Sequence, residues 1–190
     1  MKKNLKTALL MTMFTTILLG LVYPLAITGL AQILFPNRAN GQLIRRDGKI
    51  IGSRLIGQAF SGTRYFHSRP SAAGNGYDAA NSGGTNLGPT NQKLIARVVH
   101  DVRLLRPDNP GVPVPIDLVT TSASGLDPDI TPAAAEFQVL RVARERKTSI
   151  QAIQQLVAQH TQGRQFGFLG EPRVNVLELN LDLDAHYPIR

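Results

Sequence analysis

Four histidines, at positions 67, 100, 160 and 186, have the widest chemical repertoire in this 190-residue chain. Imidazole can ligate metals and move protons near neutral pH. No two of them stand at a metal-ligand spacing. His100 and His160 fall in stretches of helical periodicity, where a structural or exposed role accounts for them. Ser61, Ser68, Ser71 and Ser82 lack the G-x-S-x-G turn that exposes a nucleophilic serine. The G-x-x-x-x-G-K-[ST] phosphate loop is absent. With no cysteine, thiolate nucleophiles, disulfides and Cys-ligated zinc are excluded. The sequence therefore predicts no catalytic residue and no metal site.

Two weaker patterns remain. Ser82-Gly83-Gly84-Thr85-Asn86 could ring an anion with backbone N–H groups freed by glycine. No lysine or helix start follows it directly, and a tight loop that needs glycine for its backbone angles explains it more simply. Arg64 and Arg69, flanking Tyr65-Phe66, could form a docking edge or a strand with solvated charges. The acids Glu178, Asp182 and Asp184 could attract a cation, although a solvated sheet face accounts for them.

The elements that must position these residues read as follows. Leu43-Ile44, Asp47-Gly48 and Ile50-Ile51 predict a hairpin on a type I′ turn, within a run of short strands over 37–66. Residues 67–91 hold five glycines and four asparagines and predict a long loop, of the kind that often carries function. We expect partner contact there, at Gly83 and Gly84, and at Arg64 and Arg69. Leu94, Val98, Val102 and Leu105 form a helical stripe widened by Ile95 and Val99, with Lys93, Arg97 and Arg103 facing away. Val112 to Thr121 reads as extended. A second helix starts after Thr131, with Pro132 at its first position. A third starts at Thr148, boxed by Gln151, buries Ile150, Ile153, Leu156 and Val157, and stops at Gly163. The alternation from Val174 to Leu183 predicts a closing strand, with a bulge where apolar parity changes between Val176 and Leu177. The soluble part, residues 37–190, is thus expected to be a small α+β domain.

Residues 1–36 are different. No charge occurs from Thr7 to Asn37, and the apolar run Ala8 to Phe35 exceeds the ~20 residues needed to cross a bilayer. Pro24 is expected to kink it. A cleaved signal peptide would suit Lys2, Lys3 and Lys6, but its apolar core is usually about 7–15 residues. A retained transmembrane helix is the favoured reading, with the N-terminus cytoplasmic because long domains translocate largely regardless of charge. The net charge is +8, of which +5 lies beyond residue 36. It is scattered rather than massed beside aromatics, so nucleic acid is not the expected partner.

Longer blocks make the reading specific. Tyr65-Phe66-His67-Ser68-Arg69-Pro70-Ser71-Ala72, Ser82 to Asn91, Asp117 to Pro128, Pro132-Ala133-Ala134-Ala135, Gln138, Arg141-Val142-Ala143-Arg144 and Val174 to Asn180 occur in an order that resembles the C subunit of the Kdp potassium-transporting P-type ATPases. Leu140 stands where that pattern has proline, and Lys147 where glycine is common. The resemblance implies a subunit of the bacterial inner membrane, without catalysis of its own. Its partners would be a channel-like K⁺-translocating subunit, a P-type ATP-hydrolysing subunit and the lipid bilayer. It also implies two conflicting roles. One is an outward-facing assembly subunit with no tightly bound cofactor. The other is a catalytic chaperone that raises the ATP affinity of the hydrolysing subunit, with Ser82, Gly83, Gly84, Thr85 and Asn86 as nucleotide contacts. A periplasmic domain cannot reach cytoplasmic ATP, and the orientation argument favours the first.

Overall fold

The computed structural model describes residues 2–188. It divides into a unit of residues 1–44 and a unit of residues 45–190.

The first unit is dominated by a helical run, Lys2–Leu34, with a mean hydropathy of 2.0 over its most apolar window. It comprises α1 (Lys2–Ile17), a π-helical turn (Leu18–Val22) and α2 (Tyr23–Leu34). None of its side chains is buried. Thirty-three residues at the α-helical rise make about 50 Å, more than the ~30 Å hydrocarbon core. The helix is long and apolar enough to cross a membrane. The consequence expected of Pro24 takes a particular form. Proline cannot donate and crowds the carbonyl four residues back; the widened turn falls just before it, with Tyr23 N–H donating to the Leu18 carbonyl. Such π-turns re-route the ladder without ending the helix. A short α3 (Pro36–Ala39) follows.

A hairpin of β1 (Leu43–Arg46) and β2 (Lys49–Ser53) comes next. Asp47 and Gly48 both have positive φ, 50° and 76°, as the type I′ turn requires. No further strand forms before residue 67 among the described residues, so the strand-rich reading of 37–66 holds only for this hairpin. From Arg54 to Asn91 the chain runs without regular secondary structure. Asn91 caps α4 (Gln92–Leu105), accepting from Lys93 N–H. On α4 Leu94, Val98, Val102 and Leu105 are half-buried, but Ile95 and Val99 stay exposed. Arg97 does not face away: its Nε and Nη2 atoms are buried. Residues 112–121 are not an extended stretch either. They turn in a 3₁₀ segment, Ile116–Leu118, closed by Thr120 Oγ1 donating to the Ile116 carbonyl at 2.8 Å.

The core forms around α5 (Pro132–Arg146), α6 (Ile150–His160) and α7 (Val176–His186). A three-stranded antiparallel sheet accompanies them, with β5 (Arg173–Asn175) between β3 (Asp129–Ile130) and β4 (Thr161–Gln162). Thr131 caps α5 by accepting from Ala134 N–H at 3.2 Å. At its far end Lys147 takes up φ 56°, which explains why glycine would suit that position. The cap of α6 is Ser149, not Thr148: Ser149 Oγ accepts from Ala152 N–H. The α6 helix ends at His160 rather than Gly163, and Ile150 is exposed while Ile153, Leu156 and Val157 are buried.

The largest correction is at the C-terminus. The strand expected over 174–183 stops at Asn175, and Val176–His186 is helical. Asn175 makes the switch, accepting from Glu178 N–H at 3.1 Å while its amide donates to the Arg54 carbonyl. Val176, Leu179, Asn180 and Leu183 are buried, the i, i+3, i+4, i+7 spacing of a helix face. The alternating leucines therefore lie on both sides of a helix, and Leu181 is only half-buried.

Two buried amides hold the irregular segment against this core. Asn180 accepts from Phe66 N–H and donates to the Phe66 carbonyl, both at 2.9 Å. Gln138 does the same for His67, at 2.8 and 3.1 Å. Phe66 itself is fully buried. Replacing Asn180 by leucine leaves two backbone groups unpaired, at about 1–3 kcal/mol each. The expected result is a full-length protein destabilised by about 2–5 kcal/mol, read by near-UV circular dichroism during unfolding in detergent. A loss under about 0.5 kcal/mol contradicts the pairing.

Candidate functional site

The residues singled out by sequence lie mostly in the irregular stretch 54–91, and its anchoring decides what each can do. Arg141, almost wholly buried, pairs its Nε with Asp108 at 2.8 Å. Its Nη1 donates to the carbonyls of Thr63 and Tyr65, and its Nη2 to Gln138 Oε1. Burial lowers its pKa, and the Asp108 carboxylate opposes that shift. Arg146 donates to the carbonyls of Arg64 and Tyr187 and pairs with Asp184 at 2.7 Å. Its guanidinium lies 4.7 Å from the centre of the Tyr65 ring. Four side chains of α5 and α7 thus satisfy seven backbone groups of residues 63–67. His67 joins this arrangement through a 3.0 Å contact to the Gly62 carbonyl. Its pKa is lowered, first by burial and then by Arg141, so the neutral ring with Nε2–H donating is favoured.

The expected docking edge is split by this geometry. Phe66 is in the core, and Arg69 is turned inward, toward Asp127 at 3.3 Å and the Thr120 carbonyl at 3.4 Å. Arg64 stays exposed, on the wall of a cleft of about 440 Å³ shared with Glu145, Lys147, Thr148 and His186.

Ser82 to Asn86 is also tied down. Gly83 N–H donates to the Ser124 carbonyl at 2.8 Å, and Ser82 Oγ to the same oxygen at 3.0 Å. One donor of the expected anion nest is therefore engaged within the chain. The partner segment is the Asp117–Pro128 block, where Ser71 Oγ donates to the Gly125 carbonyl at 2.6 Å. Gly125 has φ +67°, and a Cβ there would stand 2.6 Å from the Gly83 carbonyl oxygen. Within the same block Asp117, buried, accepts from Thr131 N–H at 2.7 Å and so fixes the cap of α5. The three C-terminal acids do not form a rim. Glu178 pairs with Arg54, Asp182 with His160 and Asp184 with Arg146.

The quoted sequence blocks therefore meet in contacts that join residues 63–83 to 117–128 and to α5 and α7. A family model described as K⁺-transporting ATPase, c chain, matches residues 5–185. The chain belongs to that family. It is 70% identical over 189 residues to the potassium-transporting ATPase KdpC subunit of Koribacter versatilis, covering 100% of this chain and 98% of the relative. The KdpC subunit of Acidobacterium capsulatum is 59% identical over 181 residues, covering 95% and 97%. That of Caulobacter vibrioides is 56% identical over 189 residues, covering 99% and 96%. The KdpC-type chain is thus one subunit of a multi-subunit K⁺-transporting ATPase.

Sequence reasoning did not assign Gln138, Arg141, Arg146 or Asn180 a role, and it placed Asn180 on a strand. Their partners lie 71 to 114 residues away for the two amides, beyond any local spacing rule.

The two glycines of the stitched loops should respond differently to a methyl group. Gly125→Ala meets both a left-handed backbone and two close backbone atoms, and should cost at least about 2 kcal/mol. Gly83→Ala meets open space and should leave the melting temperature within about 2 °C of the wild type. Equal effects at both positions would contradict the packing of these loops.

Proposed function

We propose that this chain is a non-catalytic accessory subunit of an ATP-driven K⁺ importer, needed for assembly and stability of its ion-conducting and ATP-hydrolysing subunits. The apolar helix anchors it as a single span in the bacterial inner membrane, with the N-terminus cytoplasmic and residues 37–190 outside. The observation that carries this reading is the internal use of the polar residues in its most characteristic blocks. Arg69, Gln138, Arg141, Asp117 and Asn180 are bonded to the chain's own backbone. A unit built this way is rigid before it meets a partner, and a preorganised surface loses less entropy on association. That suits a part whose work is contact rather than chemistry.

The alternative, a chaperone that contacts nucleotide at Ser82–Asn86, draws no support from the loop. A triphosphate needs convergent donors and a nearby cation, and Gly83 N–H is already bonded to Ser124. Titration of the full-length chain in detergent with Mg-ATP, followed by calorimetry at physiological salt, should show nothing tighter than about millimolar, roughly 4 kcal/mol. A saturable micromolar isotherm, abolished by Gly83→Val, would contradict the accessory reading and favour the chaperone.

A further inference from the structure

Between β4 and β5 the chain makes an excursion that its own fold does not use. Gln165 and Leu169 close a small loop with two backbone hydrogen bonds of 2.9 Å, one in each direction. Beneath them Arg164 and Glu171 form a two-pronged ion pair at 2.7 and 2.9 Å. At the tip Phe166 is 87% exposed, Phe168 70% and Leu169 47%. Phe166 also sits at φ 53°, a left-handed conformation that strains a bulky side chain. An aromatic residue held in that conformation and presented to solvent contributes nothing to this chain's core.

We propose that the Phe166–Leu169 tip is a docking knob that inserts into an apolar socket on another subunit of the same K⁺-transporting complex. The inference rests on the reading of the chain as an assembly subunit and names the contact. Size and charge select the occupant. Two phenylalanines and a leucine so exposed offer on the order of 300–400 Å², well short of the ~800 Å² per partner that a stable dimer needs. So small a face cannot hold any partner by itself, and it suits subunits already gathered in one membrane complex rather than a free dimer of this chain. Interfacial lipid anchors combine aromatics with free Lys or Arg on a polar face. Here Arg164 is bonded to Glu171 and Arg173 to Asp129, so the base of the loop presents no unpaired cation to anionic headgroups. An electrically neutral, preshaped aromatic knob is the chemistry of a hot-spot residue that fills a protein pocket. The rigid closure at Gln165 and Leu169 reduces the ordering cost on docking.

The test uses the full complex in native membranes, with a benzophenone amino acid placed at Phe166 or Phe168 and irradiated. The expected product is an adduct joining this chain to another subunit of the complex. In parallel, the double variant Phe166→Ser and Phe168→Ser should co-purify with the other subunits at least about tenfold less well. Its melting temperature and membrane retention should match the wild type. Adducts only to lipid or to a second copy, no adduct, or co-purification within twofold of the wild type would each overturn the inference. If the wild-type chain itself co-purifies with no other subunit, the assembly reading fails, and not merely the assignment of the tip.

Discussion

Residues 63–67 carry no strand or helix to satisfy their backbone, yet Phe66 among them is fully buried. Buried backbone groups must find partners or cost stability. Here the partners are side chains: Gln138, Arg141 and Arg146 from α5 and Asn180 from α7. The two amides act as one residue's worth of β-ladder each, offering an acceptor and a donor to the same peptide unit's neighbours. The rest of the structure depends on this constraint. Arg141 draws in Asp108 at the end of the turn after α4, and Arg146 draws in Asp184 of α7. Removing one member leaves others buried without a partner, so the network is cooperative rather than a sum of independent bonds.

How much of this was legible follows from how local each signal is. The apolar N-terminal helix, the Asp47-Gly48 turn and the Thr131-Pro132 start of α5 were readable because each depends on a few adjacent residues. The cap of α6 was misread by one position, since Thr148 and Ser149 are both hydroxyls and only the backbone decides between them. The C-terminal helix was missed because leucines two apart imitate a strand. Its signals were present: the parity change at Val176–Leu177 marks where the strand ends, and Asn175 with Glu178 three residues later is a helix start. The clamp on 63–67 left no such trace. Buried polar side chains look like solvated ones until the fold places them, and Asn180 was placed on a strand with no partner named for it.

The same physics connects fold to role. Family membership makes the chain a subunit of a K⁺-transporting ATPase, and the polar residues of its characteristic blocks tie residues 63–67 to α5 and α7. In the loop between β4 and β5, Phe166, Phe168 and Leu169 stay exposed, and the docking contact proposed for them would account both for that exposure and for the left-handed backbone at Phe166.

In the function proposed above, a membrane-anchored, outward-facing unit works by contact and never meets cytoplasmic nucleotide. A topology reporter fused after Arg190 tests it most directly, using one enzyme active only outside the cytoplasm and another active only within. The account predicts activity of the first and silence of the second in intact cells. The opposite pattern would place residues 37–190 beside ATP and contradict the account.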